Sequence, residues 1–202
     1  MAGHHAEFVH SISSLLSQEE PIELLPSETA AVAVIFGDAA TGKEQILLIR
    51  RSDREGDPWS GHIALPGGRV EKEDGSFKAA AVRETREEVG IDLDANAQFL
   101  GYLGPFQART RSIWVVPSVF LSDDVPIVTS SAEVASYKWM PFQEIVAPDS
   151  RSTYEPKEHG ESRPFPAFER DGYLVWGLTE RILSTLAEAV QKGSSDVSDR
   201  GD

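Results

Sequence analysis

At 202 residues the chain can bury a substantial core, and it fits one domain with terminal extensions better than two full domains. A formal net charge of -14 excludes a protein that clamps a nucleic-acid backbone over a broad basic face, so an anionic ligand has to be met locally. Cysteine is absent, which removes disulfides, thiol nucleophiles and Cys-based zinc sites; no apolar run reaches membrane-spanning length and no signal-peptide pattern opens the chain, so the cytoplasm is the expected compartment.

Residues 1–26 read as an N-terminal helix and linker. Phe8, Ile12, Leu15 and Leu16 recur at helical spacing and predict an amphipathic helix over Glu7–Ser17. Such a helix packs on its own domain or on a second copy of the chain, which makes a homodimer a candidate assembly. Pro21 and Pro26 then break the chain before Thr29–Phe36, TAAVAVIF, a β-branched and aliphatic run that predicts a strand. Gln45–Arg50 predicts its hairpin partner, with turn chemistry at Gly37-Asp38 and Thr41-Gly42 between them. Both runs are almost continuously apolar, as in the interior of a sheet. Arg50, Arg51 and Arg54 follow, where guanidiniums could hold substrate phosphates or pair with the protein's own acids. In the loop that begins at Gly56, Trp59 is a loop anchor or a stacking platform, and His62 is a candidate proton shuttle.

The stretch Gly67–Ile91, GGRVEKEDGSFKAAAVRETREEVGI, carries the densest pattern. Its two glycines allow a sharp, close-approaching turn, and Asp74-Gly75-Ser76 can cap a helix that begins near Ser76 and ends at Gly90. Phe77, Ala80 and Ala81 form an apolar stripe that continues into Glu84 and Glu88, with Glu87 beside them. Clustered carboxylates repel and lose hydration when buried. Arg83 can pair with Glu87 but cannot neutralise three acids, which leaves divalent cations or bulk solvent to do so. Oxygen ligands without Cys or a nearby His favour Mg2+ or Mn2+ over Zn2+.

Downstream, Gln98–Leu103 and Ile113–Leu121 predict strands, with Pro117 placing the second at an edge or a bulge. Arg109 and Arg111 lie in the connecting loop, in a position to contact phosphate. Ser136–Trp139 predicts a short strand, Pro141–Val146 one or two helical turns, and the polar stretch 149–164 a long mobile loop. Asp171-Gly172 between two apolar runs predicts a hairpin. A last amphipathic helix is expected from Leu178 to Gln191, and residues 193–202 read by composition as a disordered tail.

Arg83-Glu84-Thr85-Arg86-Glu87-Glu88-Val89-Gly90-Ile91, preceded by Pro66-Gly67-Gly68, resembles the Nudix box, G-x5-E-x7-R-E-U-x-E-E-x-G-U with U aliphatic. Thr85 departs from an aliphatic position. The acid expected eight residues before Arg83 is Gly75, with Asp74 one residue further out. A box lengthened in this way, and the Trp176-Gly177 pair before the last helix, resemble the coenzyme A pyrophosphatase-like branch; Leu65 stands where that branch has phenylalanine.

The resemblance implies an α/β Nudix-type α/β/α sandwich with a mixed β-sheet over residues 27–192. It implies a metal-dependent hydrolase that cleaves the diphosphate of a small-molecule nucleoside diphosphate derivative, with coenzyme A or a related ADP-containing compound as candidates. Glu84, Glu87, Glu88 and the Gly68 carbonyl would hold Mg2+ or Mn2+, and Arg83 would hold the carboxylates in position. Glu87 or an acid outside the box, Glu133, would take the proton from water. Arg50, Arg51, Arg109 and Arg111 would meet the substrate. The alternative is a catalytically idle Nudix-like domain that binds a nucleotide as a sensor.

Overall fold

The structure is a computed structural model and describes residues 2–23, 25, 28–108, 113–155 and 164–198, with backbone alone for 2–5, 7 and 193–198. In chain order the elements are α1 (Ala2–Ser13), β1 (Leu16–Ser17), β2 (Thr29–Gly37), β3 (Gln45–Arg51), β4 (Ile63–Ala64), β5 (Gly67–Arg69), α2 (Phe77–Val89) and α3 (Leu93–Asn96). There follow β6 (Gln98–Leu103), β7 (Phe106–Gln107), β8 (Trp114–Leu121), β9 (Val134–Pro141), α4 (Phe142–Ile145), β10 (Arg151–Tyr154), β11 (Phe165–Arg170), β12 (Tyr173–Trp176) and α5 (Gly177–Ser198).

A nine-stranded mixed sheet runs β1-β6-β8-β2-β3-β4, with β5 on β2, β7 on β8 and β9 on β3. Strand β2 is its centre and shows why a nearly continuous apolar run is interior. Ala31, Ala33 and Ile35 face α2, in a core with Phe77, Ala80 and Ala81. The alternate residues Val34 and Phe36 face the opposite layer, with Phe8 and Ile12 of α1 and Ile182, Leu183 and Leu186 of α5. Both faces are therefore covered, giving an α/β/α sandwich.

Several expectations are corrected. β2 and β3 touch as a hairpin only at Phe36↔Ile46 and Gly37↔Gln45. Further along, β2 pairs in parallel with β8 over its whole length and β3 pairs with β9, so the two strands part company and β5 enters beside β2. Pro117 is neither at an edge nor in a bulge, because β8 lies between β2 and β6. Its missing donor is tolerated because the neighbouring side is interrupted there: β7 pairs with 114–115 and β6 with 118–121, leaving Pro117 at the junction. The first helix stops at Ser13 rather than Ser17, since Leu16 and Ser17 pair with Leu103 and Tyr102 at the sheet's margin. The stretch expected as one loop contains β10, which joins β11 and β12 in a three-stranded sheet; residues 156–163 lie outside the described residues. Asp171 and Gly172, at φ 50° and 76°, make the tight turn of its hairpin. The last helix runs on to Ser198, past the boundary placed at 192, because a single glycine at 193 costs only about 1 kcal/mol in a helix.

The small sheet is fastened by rings. Tyr154 stacks on Trp176 at 3.9 Å, and His62 meets Trp176 edge-on at 5.1 Å and Trp59 at 5.6 Å. Burial lowers the His62 pKa below its ordinary value. Trp59 thus anchors its loop.

Candidate active site

The site is built where β5 meets α2. Ser76 is in the extended conformation before α2, and its hydroxyl accepts from the Ala79 N–H at 2.9 Å. A second cap arrives from a distant part of the chain: the Glu20 carboxylate accepts from the Phe77 N–H at 3.1 Å and from the Tyr102 hydroxyl at 2.7 Å. Burial and this carboxylate together push Tyr102 up to about 12. At the far end Gly90, at φ 69°, closes the helix with its N–H on the Arg86 carbonyl. The Thr129 and Ser131 N–H groups bond the carbonyls of Val89 and Glu88 at 2.8 and 2.9 Å. The strap that carries Glu133 is thereby tied to the acidic end of α2.

The two glycines have different work. Gly67 adopts φ 149°, and a Cβ there would press on the Ala31 carbonyl and lie 2.6 Å from the Val32 Cα. It is needed for β5 to lie against β2. Gly68 has no such backbone requirement, but its absent Cβ would lie 2.5 Å from the Glu84 Cδ. Its space belongs to a carboxylate.

Glu88 is 4% exposed and accepts the Gly67 N–H at 2.9 Å. Burial raises its pKa to about 7 despite that bond, and Glu84 is raised for the same reason against the pull of Arg83. Both acids also feel Glu133. Glu87 is 60% exposed at the rim.

Arg83 holds the arrangement. Its Nε and Nη2 donate to both oxygens of Asp74 at 2.8 and 3.0 Å, its Nη1 to Glu84 at 2.9 Å and Glu87 at 3.4 Å, and its Nη2 also to the Arg69 carbonyl at 3.0 Å. Asp74 therefore has a definite task despite its shifted place. Its side chain is 4% exposed; burial would raise its pKa, but the Arg83 and Glu71 hydrogen bonds bring it below the ordinary value. Gly75 absorbs the extra residue at φ 68°, with open space where a Cβ would be.

Among the described residues no three His, Asp or Glu side chains stand assembled as an ion cage. The donor set nevertheless suits a hard cation. Glu84 and Glu88 are partly dehydrated carboxylates whose pKa values are raised first by burial and then by neighbouring acids, and glycine leaves Glu84 room beside the loop backbone. Arg83 supplies the positive charge in their midst.

The arginines after β3 diverge. Arg50 donates to the carbonyls of Gly61 at 3.2 Å and Gly172 at 2.9 Å and lies over the Tyr173 ring. Arg51 pairs with Asp57 at 3.0 Å, and its charge acts on Glu88. Arg54 pairs with Glu133 at 2.6 Å. Arg109 and Arg111 lie outside the described residues. The roles of Glu20 and Asp57 were invisible in the sequence: Glu20 acts on α2 across 57 residues, and no local pattern marks it.

A mixed sheet sandwiched by helices, with its acids on a glycine-led loop and the helix that follows, defines an α/β/α domain of the Nudix type. The chain belongs to the Nudix family: the NUDIX domain model matches residues 26–159, leaving β11, β12 and α5 beyond it. The uncharacterized Nudix hydrolase NudL of Photorhabdus laumondii is 30% identical over 172 residues, covering 85% of this chain and 90% of its own. The peroxisomal coenzyme A diphosphatase ndx-8 of Caenorhabditis elegans is 32% identical over 136 residues, covering 66% of this chain and 57% of its own. The chain spans 36% of the length of a Schizosaccharomyces pombe relative and 57% of that of an Arabidopsis thaliana one. In fold, it is similar to the bifunctional NMN adenylyltransferase/ADP ribose pyrophosphatase from Francisella tularensis, with a TM-score of 0.52 at 14% identity over 94% of this chain and 46% of the other. No described helix is long and apolar enough to cross a membrane.

Proposed function

We propose that the chain hydrolyses the diphosphate linkage of a nucleoside diphosphate derivative, with coenzyme A the first candidate. The observation that supports this is the meeting of Glu84 and Glu88 with the Gly67-Gly68 backbone, Glu87 sharing Arg83 with Glu84 at the rim and Asp74 locking Arg83 in place. Glu84 and Glu88, with Glu87 at the rim and the Gly68 carbonyl, would hold Mg2+ or Mn2+, which when bound neutralises diphosphate charge and acidifies the attacking water. Arg83 keeps the carboxylates oriented. Arg51, whose charge already reaches Glu88, is suited to a phosphate oxygen, as are Arg109 and Arg111.

Glu133 or Glu87 takes one proton from the water as its oxygen bonds to phosphorus. The bridging P–O bond breaks, and the other phosphate leaves as a monoester. Coenzyme A is favoured by the lengthened box and the Trp176-Gly177 pair, and by the name of the nematode relative. The test is a panel of coenzyme A, ADP-ribose, dinucleoside polyphosphates, nucleotide sugars and nucleoside triphosphates with Mg2+ and Mn2+, the products identified by mass. Coenzyme A should give 3',5'-ADP and 4'-phosphopantetheine. Binding without turnover across the panel would replace this proposal with the sensor alternative.

A further inference from the structure

The arginines of the site and of the segment after β3 are held in different ways. Arg83 has five acceptor contacts from two acids of its own helix, Asp74 and a carbonyl. Arg50 bonds two carbonyls and covers the Tyr173 ring. Arg51 is held by Asp57, with both side chains largely covered at 32% and 19% exposed. Arg54 differs. Its guanidinium pairs with Glu133, and the two side chains are 52% and 51% exposed.

The backbone of this pair is firm on both sides. The Ser52 N–H bonds the Glu133 carbonyl at 2.9 Å, Ser131 is tied to the end of α2, and the Arg54 N–H and carbonyl both engage the Ser60 hydroxyl, at 3.0 and 3.1 Å. Two anchored stems thus present a half-exposed guanidinium–carboxylate pair on the strap tied to Glu88 of α2, within reach of the fields of Glu84 and Glu88. A half-exposed pair of this kind is worth at most about fivefold in an equilibrium constant. A diphosphate carries more charge than one carboxylate and can meet a guanidinium through two parallel hydrogen bonds.

We infer that Arg54 is a substrate-binding residue that exchanges Glu133 for the diphosphate, so that substrate entry itself frees the Glu133 carboxylate beside the reacting centre. The exchange rests on the hydrolase reading for its purpose, but it is a binding event and is measurable without turnover. Arg54 is idle on Glu133 when the site is vacant and on phosphate when it is filled. Glu133 competes with the substrate for Arg54, which gives an unusual expectation: removing its charge tightens binding while it slows the reaction.

The experiment is a double-mutant cycle on the dissociation constant of the methylene-bridged analogue of ADP, measured by calorimetry with Mg2+ for the wild type, Arg54→Ala, Glu133→Gln and the double variant. Arg54→Ala should weaken binding about tenfold or more, and Arg54→Lys should recover part of the loss. Glu133→Gln should tighten binding by about three- to fivefold in the wild-type background and leave it unchanged in the Arg54→Ala background. Tightening that persists without Arg54 would be a field effect of the lost charge and would overturn the exchange, as would the absence of any tightening. Thermal unfolding of each variant should match the wild type, since the pair is exposed. Failure of the wild type to bind the analogue would overturn the inference together with the hydrolase reading, whereas binding with an additive cycle would overturn the inference alone.

Discussion

Adjacent glycines with opposite duties provide the most direct test of the loop and helix. Gly67→Ala places a methyl group against backbone, pressing on the Ala31 carbonyl and 2.6 Å from the Val32 Cα, at a φ of 149° that side chains avoid. Neither β2 nor β5 can retreat without breaking their register, so the cost should be on the order of 3 kcal/mol. In a domain of this size that lowers Tm by about 6–12 °C. Gly68→Ala meets only the end of a side chain, with the Glu84 Cδ 2.5 Å from the new methyl. The carboxylate must move by about 1 Å to reach ordinary contact, which is cheap for the fold but on the scale at which a misplaced group loses about 10²-fold in rate. Tm should therefore stay within about 2 °C of the wild type. Stabilisation by Mn2+, measured by thermal unfolding, should be much smaller than that of the wild type, and turnover should fall about 10²-fold. Wild-type turnover and metal response in Gly68→Ala would refute the assignment of Glu84, and an undisturbed Tm in Gly67→Ala would refute the packing of β5 on β2.

Other outcomes follow from the same geometry. Glu87→Gln should abolish most turnover with the unfolding midpoint unchanged, because the side chain is 60% exposed and supports little of the fold; steady-state kinetics and thermal unfolding check the two halves separately. Excess EDTA should stop hydrolysis and Mg2+ or Mn2+ should restore it, whereas full activity in EDTA would rule out the metal-dependent mechanism. Asp74→Ala should cost about 1–3 kcal/mol and reduce turnover, since it leaves Arg83 without its bidentate partner; denaturant unfolding and kinetics measure both. The pH dependence follows from Glu88. Its folded pKa of about 7 lies above the ordinary 4.5, so between these values the folded protein keeps a proton that the unfolded chain has lost. In EDTA, raising the pH through that window should remove up to about 3 kcal/mol of stability from the wild type relative to Glu88→Gln. Equal pH profiles in urea unfolding would contradict the burial of the Glu88 charge.

What the sequence alone settled was local. Phe77, Ala80 and Ala81 at helical spacing, a cap at Ser76 and a stop at Gly90 define α2 from contacts within a few residues, and they carry Glu84, Glu87 and Glu88 with them. The β-branched runs of β2 and β8 likewise declare buried strands, and Asp171-Gly172 declares its turn. Pairing was not legible, because apolar runs specify burial and not partner. Thus β2 and β3 looked like a simple hairpin until β8 and β9 took most of their edges, and Pro117 looked marginal until the break between β6 and β7 gave it a place. The site divides in the same way. The box marks candidate carboxylates, but Asp74 could be placed on Arg83 only once Gly75 was seen to turn through positive φ. Likewise, only the folded chain separates three similar arginines into one bound to carbonyls, one bound to Asp57 and one paired with the half-exposed Glu133. Side chains choose partners by distance and field in the folded state, and those are properties of the assembled chain.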